Sequence, residues 1–279
     1  MNVINLPDDL KLKVSPSINV FDYQTSKECF KQMVSLNQNT FSFLIEGSKR
    51  VFSGKTSILI ENSSFLLMKS GQCLMTEKLP NSLDNYRSIL FFFSNETLLD
   101  FIQKHRLEKS KSHNQQFIYS FQYDDFLRTF VDGLINICKL NQEVQTKLLE
   151  PKFEELMLYL IETKGVDFIF PLITNMNSRF QHFIEIVKTN RLNKLTVKEL
   201  SFLSNMSVST FKREFEKHFH SSPIKWFQEN RLEHSAFLLK NKSKRPIEIF
   251  EEIGYENLSN FIQAFKVKFG ITPKEYQQD

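Results

Sequence analysis

Two stretches of this chain place phenylalanine at i, i+4 and i+8: Phe211, Phe215 and Phe219 in FKREFEKHF, and Phe261, Phe265 and Phe269 in FIQAFKVKF. At 100° per residue each triplet covers about 80° of a helix, a narrow apolar stripe that has to be buried. The echo runs further. Pro223 and Pro273 each follow the last phenylalanine by four residues, and Trp226 and Tyr276 follow the proline by three, all at an offset of 50. Repetition at so many fixed positions marks two copies of one supersecondary unit.

Upstream of each phenylalanine helix the residues spell a shorter helix and a tight turn. In the first copy Thr196 and Glu199 form a capping-box pattern opening VKELSFL, SNM makes the turn, and Ser207 caps the next helix. In the second copy PIEIFEEI opens with Pro246 in a first-turn position, Gly254 supplies the turn, and Asn257 is the cap. Helix, short turn, helix is the design whose second helix enters the DNA major groove. Between the copies, Pro223 to Leu239 reads as one helix of about 25 Å. Such a rod can hold two recognition helices on successive groove faces, about 34 Å apart.

These residues resemble the AraC/XylS family of transcription regulators. The likeness rests on LTVKELSFLSNMSVSTFKREFEKHF and RPIEIFEEIGYENLSNFIQAFKVKFGITPKEY, with Arg231, Ala236 and Leu239 between them, about 100 residues in all. It implies a seven-helix DNA-binding domain with an attached sensing or dimerisation domain, RNA polymerase as a partner, and activation more than repression. Three positions depart from the family pattern. Ser201 and Phe250 stand where small residues are usual, and His220 stands where a glycine normally ends the first phenylalanine helix.

The faces opposite the aromatic stripes are the candidate readers of double-stranded DNA. Base contacts are expected from Ser209, Thr210, Lys212 and Arg213 in the first copy and from Ser259, Asn260 and Gln263 in the second. Arg213 suits a bidentate contact to guanine, and Asn260 and Gln263 suit adenine. Ser207, Lys217, Lys266, Lys268 and Lys274 are candidate phosphate ligands, which position without specifying sequence. Arg231, in mid-rod, reads as structural. The first copy is the more cationic, so it is expected to anchor binding while the second tunes sequence preference.

The remainder of the chain reads differently. Through residue 93, apolar runs of five to eight residues such as TFSFLIEG, TSILIENSS and RSILFFFS alternate with Gly, Asn and Ser. This is the signature of a β-rich sandwich or barrel. From about 94, NETLLDFIQKH, DDFLRTFVDGLINICKL and PKFEELMLYLIETKG are spaced as helices. In the second, Phe126, Phe130, Leu134, Ile137 and Cys138 are expected on one face, with Asp124 or Asp125 as cap. The third is expected to start at Pro151 and stop at Gly165. The expected fold is therefore α+β, with a jelly-roll or cupin-like N-terminal domain and trailing helices over 1–170 for sensing or dimerisation. A linker follows near 170–178, then an all-α DNA-binding domain with two helix-turn-helix units over 176–279.

Charge supports that division. Residues 176–279 hold 17 Lys/Arg and 12 Asp/Glu, a net of +5, against −1 for the first 175. A basic C-terminal third points to an anionic partner. The 29 phenylalanines beside seven glycines read as a habit of filling cores. Three scattered cysteines, Cys29, Cys73 and Cys138, argue against a disulfide framework and fit a reducing cytoplasm. The first residues have acids where a signal peptide has a basic flank, and no run is long enough to span a membrane.

An enzyme is not expected. A catalytic cupin needs clustered His and Glu on neighbouring strands, and Phe41–Phe93 contains no histidine. His218 and His220 diverge on a helix, so no metal ligands are assigned, and no catalytic residues or cofactor are expected either. The inward strand residues are mostly Phe, Leu and Ile. That suits a filled core, an apolar small effector, or a domain that receives a regulatory protein or a second copy of the chain. An effector-independent repressor or architectural binder, and a cupin-like enzyme tethered to DNA, are the alternatives.

Overall fold

In a computed structural model of the chain, residues 3–10, 17–54, 56–79, 85–108, 117–173, 179–241 and 244–278 are described. They form two compact units, Met1–Met176 and Asn177–Asp279. Ten strands lie in the first: β1 (Ile4–Leu6), β2 (Ile18–Thr25), β3 (Cys29–Leu36), β4 (Asn39–Glu46), β5 (Ser48–Ser53), β6 (Thr56–Ile60), β7 (Ser64–Met68), β8 (Gly71–Lys78), β9 (Tyr86–Phe93) and β10 (Ile118–Gln122). They make two five-stranded sheets, ordered β1-β3-β8-β5-β6 and β10-β7-β4-β9-β2. Four helices accompany them: α1 (Asn95–Lys104), α2 (Asp125–Cys138), α3 (Gln142–Lys164) and the short α4 (Phe170–Ile173).

The second sheet is covered on both faces, which is why RSILFFFS is apolar without alternation. One face meets the first sheet through Leu44, Leu66, Leu90 and Phe92, opposite Val34, Val51, Cys73 and Met75. The other carries Phe41, Phe43, Phe65, Phe91 and Phe93 against Phe101, Phe130, Leu134, Phe153 and Leu156 of the helices. Rings pack at 4.9 Å for Phe43–Phe65 and 5.0 Å for Phe93–Phe153. The phenylalanine excess therefore serves a thick, helix-covered core.

Several local expectations change. Strand β10 lies within the stretch read as helical and pairs antiparallel with β7. Helix α3 does not begin at Pro151. Asn141 caps it by accepting Val144 N–H at 3.1 Å, and Pro151 lies inside. An internal proline forfeits a backbone hydrogen bond and costs about 3 kcal/mol. Burial of Leu149, Phe153, Leu156, Met157 and Leu160 on the same helix offsets that cost. Asp124 is the cap of α2, accepting Leu127 N–H at 2.8 Å. Phe126 leaves the expected stripe and stacks on Tyr159 at 4.0 Å on the exposed side. The expected linker begins as α4, with Phe170 and Leu172 buried, and its residues 174–178 lie outside those described.

Sequence reading also missed two inward charges. The Lys49 and Glu77 side chains are 2% and 8% exposed and lie 3.2 Å apart between the sheets. Lys49 Nζ donates to Ser42 Oγ at 3.1 Å, and Ser42 Oγ lies 3.0 Å from Ser88 Oγ.

The second unit is all helical: α5 (Arg179–Thr189), α6 (Val197–Leu203), α7 (Val208–Phe219), α8 (Pro223–Asn241), α9 (Pro246–Ile249), α10 (Leu258–Phe269) and α11 (Pro273–Gln278).

Candidate nucleic-acid interface

Each half of the second unit is built on its aromatic stripe. Phe211, Phe215, Phe261 and Phe265 are fully buried. Phe183 of α5 plugs the first half, its ring 5.4 Å from Phe211 and 6.3 Å from Phe219. The repeated proline and aromatic that follow each stripe play matching parts. Trp226 lies 5.6 Å from Phe215 and 5.0 Å from Phe219, and Tyr276 lies 5.4 Å from both Phe265 and Phe269. Pro223 and Pro273 are buried at the starts of α8 and α11.

The helix signals take their expected roles. Thr196 and Glu199 close a capping box, with Thr196 N–H donating to Glu199 Oε2 at 2.6 Å and Glu199 N–H to Thr196 Oγ1 at 3.1 Å. Ser207 Oγ accepts Thr210 N–H at 3.2 Å, and Asn257 Oδ1 accepts Asn260 N–H at 2.8 Å. Helix α7 ends on His220 in the left-handed region at φ +50°, where α10 ends on Gly270 at φ +81°. In the second copy the helix proper covers only the first half of PIEIFEEI, and Glu251–Ile253 form turns.

The turns differ in length. Asn205, at φ +53°, closes α6 with Met206 N–H donating to Ser201 O at 2.9 Å. Gly254, at φ +96°, does the same with Tyr255 N–H donating to Phe250 O at 2.9 Å. One residue separates Asn205 from its following cap, Ser207, and two separate Gly254 from Asn257. The second turn therefore carries one extra residue. Phe250 is accommodated against the second core.

Helix α8 ties the halves together. Trp226 and Phe227 near its start pack into the first, and Leu232, Ala236, Leu238 and Leu239 enter the second core. Gln228 Nε2 donates to Tyr255 Oη at 3.2 Å. A Cβ built on Gly254 would stand 3.5 Å from Arg231 Nε, so Arg231 lies against the second turn. Burial there pushes its pKa below the usual guanidinium value. Over 19 residues α8 is about 28 Å long.

Opposite the stripes lie the candidate readers. Ser207, Ser209, Lys212, Arg213 and Lys217 are exposed on or beside α7, with Thr210 half-buried. The Arg213 side chain is 73% exposed, its Nε 3.6 Å from Glu214 Oε1. Ser259, Asn260, Gln263 and Lys266 are exposed on α10, and Lys274 on α11. Lys268 stands apart from its expected role. Its ammonium lies 2.9 Å from Glu233 Oε1 and donates to Glu229 O at 3.2 Å, which clamps α10 to α8. Among the described residues no group of three or more His, Cys, Asp or Glu could hold a metal ion, and no helix is long and apolar enough to cross a membrane.

Paired helix-turn-helix units behind a two-sheet domain define a DNA-binding transcription regulator. Residues 200–279 match the model of a helix-turn-helix domain, and residues 39–170 match that of the ExsA N-terminal regulatory domain. The chain belongs to the AraC/XylS family, whose members are transcription regulators and not enzymes. It is 22% identical over 267 residues to the HTH-type transcriptional regulator ExsA of Pseudomonas aeruginosa, covering 94% of this chain and 90% of that one. It is 24% identical over 145 residues to the lactose operon transcription activator of Staphylococcus xylosus, covering 50% of this chain and 52% of the relative. An HTH-type regulator of Haemophilus influenzae is 32% identical over 82 residues, which span 29% of this chain and 28% of that protein.

Proposed function

We propose that the chain is a sequence-specific activator that places α7 and α10 in adjacent major-groove segments on one side of a duplex. The observation that carries this reading is the matched pair of capped helices, each with an aromatic inner stripe and an exposed polar outer face. Arg213 reads guanine, Asn260 and Gln263 read adenine, and Ser209, Thr210, Lys212 and Ser259 flank them. Ser207, Lys217, Lys266 and Lys274 hold phosphates. Lys268 joins them only by giving up Glu233. Activation is proposed because the Staphylococcus xylosus relative is named an activator. The N-terminal unit is the sensing or dimerising part, and RNA polymerase is the partner at the promoter.

Selection of duplexes by the purified chain, followed by transcription with purified RNA polymerase on a template carrying the selected site, tests this. Increased transcript that is lost with Arg213→Ala is the expected result. Decreased transcript would make the protein a repressor, and failure to enrich any sequence would remove the base-reading assignments.

A further inference from the structure

The two faces of the first sheet differ sharply. Alternation along β5 and β8 sends Lys49 and Glu77 inward, where they pair, and sends Arg50 and Lys78 outward. Arg50 lies between Thr76 and Leu59 in one row of the sheet, and Ser48 pairs with Lys78 in the next. Beside them the register slips between Cys29 and Gln32, and Lys31 takes φ +47°. Lys31 N–H donates to Thr76 Oγ1 at 3.0 Å, anchoring the irregularity on β8. Such a bulge re-aims its neighbours. Here Phe30 is left 67% exposed, and Leu59, on the edge strand β6, is 51% exposed. Together with Phe52 they border an open cleft of about 320 Å³ that contains three cations, Lys31, Arg50 and Lys78, and no carboxylate. Arg50 and Lys78 make no ion pair among the described residues.

We propose that this cleft docks an acidic segment of a partner protein. One aliphatic or aromatic side chain of the segment sits between Phe30 and Leu59, and its carboxylates lie over Arg50 and Lys78. Charge complementarity selects the acid, since neither Arg50 nor Lys78 has an ion-pair partner among the described residues. Openness selects a macromolecule. Small ligands are mostly enclosed by their pockets, and walls that are themselves more than half exposed cannot enclose one. An apolar centre bordered by cations, with aromatic and Arg side chains, is the anatomy of a protein interface. The inference concerns the N-terminal unit alone and does not depend on how the second unit reads DNA.

The test uses the full chain and a fluorescent twelve-residue peptide alternating Glu with Leu and Phe, beside a counterpart with Lys for each Glu. Anisotropy is expected to show saturable binding of the acidic peptide only, weakened at least tenfold by Arg50→Glu or Lys78→Glu and severalfold by Leu59→Ser. Hydrogen exchange is expected to slow on β5 and β8. Both charge reversals lie on an exposed face, so either one keeps the test alive if the other misfolds. Binding that ignores both reversals, or that is equal for the basic peptide, overturns the proposal. So does competition by decanoate at equal affinity, which would make the site one for a small amphiphile. A dimer in sedimentation that Arg50→Glu dissolves would assign the face to a second copy and overturn it too. Duplex binding by the unsubstituted chain is measured separately, and its failure would count against the DNA reading only.

Discussion

Removing Lys49 alone should unfold the β-rich unit well before the helical one. Lys49 and Glu77 are almost fully buried and 3.2 Å apart. The Lys49→Met substitution keeps most of the stem volume but leaves the Glu77 carboxylate between two sheets without its cation. Its other neighbours, the weak Cys29 Sγ donor at 3.8 Å and the Tyr23 and Tyr86 hydroxyls, are neutral and do not replace that cation. Breaking one side of a buried pair costs about 3–5 kcal/mol. For a unit of this size each kcal/mol moves the midpoint by about 2–4 °C, so a loss of about 6–20 °C is expected. The double variant Lys49→Met/Glu77→Leu removes both charges and should recover at least about 2 kcal/mol relative to the sum of the singles. Trp226 is the chain's single tryptophan and lies in the second unit. Its fluorescence therefore reports that unit, and far-UV dichroism reports the sheets as well. The expected result is a shifted dichroism transition beside an unmoved tryptophan transition. A Lys49→Met variant within 1 kcal/mol of the parent, or strictly additive singles, would refute the reasoning.

Other perturbations have defined signs. His220 occupies a left-handed cap at φ +50°, so His220→Gly should stabilise the second unit by about 1 kcal/mol, read by Trp226 fluorescence in urea. Hydrogen bonds from Arg87 hold the Asp22 carboxyl below the usual carboxylate range, against opposing burial. A depressed folded pKa contributes stability that is complete above about pH 4 and lost as pH falls through the folded value. Asp22→Asn should therefore lower the urea midpoint at pH 7, by a margin that narrows as the pH is taken down from about 4. Arg213→Ala should weaken duplex binding more than Gln263→Ala does, with Gln263→Ala mainly relaxing preference at one base pair. Footprints showing equal, sequence-independent losses would remove that ranking. Affinity should fall steeply with salt, and a flat response would contradict the phosphate contacts.

The helical unit was legible because its determinants are local. Stripes at i+4, caps at Ser207 and Asn257, and prolines at first turns act within one or two turns of chain, and the structure keeps each of them. The extra residue in the second turn was readable too, from the spacing of Asn205 and Gly254 to their caps, but only once both were known to be left-handed. Long-range features were harder. Lys49 is in phase with Val51, and Glu77 with Cys73 and Met75, so alternation placed both inside. Their charges argued the other way, and only the pairing across strands resolves the conflict. Pro151 looked like a helix start because proline usually is one. Its place inside α3 depends on core contacts that no local pattern contains. Lys268 had the look of a phosphate ligand until Glu233, on another helix, claimed it.

A hydroxyl-radical footprint with methylation interference, on a duplex selected by the full chain, bears most directly on the paired-reader account. Two major-groove contacts one helical turn apart, about 10 base pairs and on the same side of the duplex, are predicted. A single contacted segment, or two on opposite sides, would contradict it.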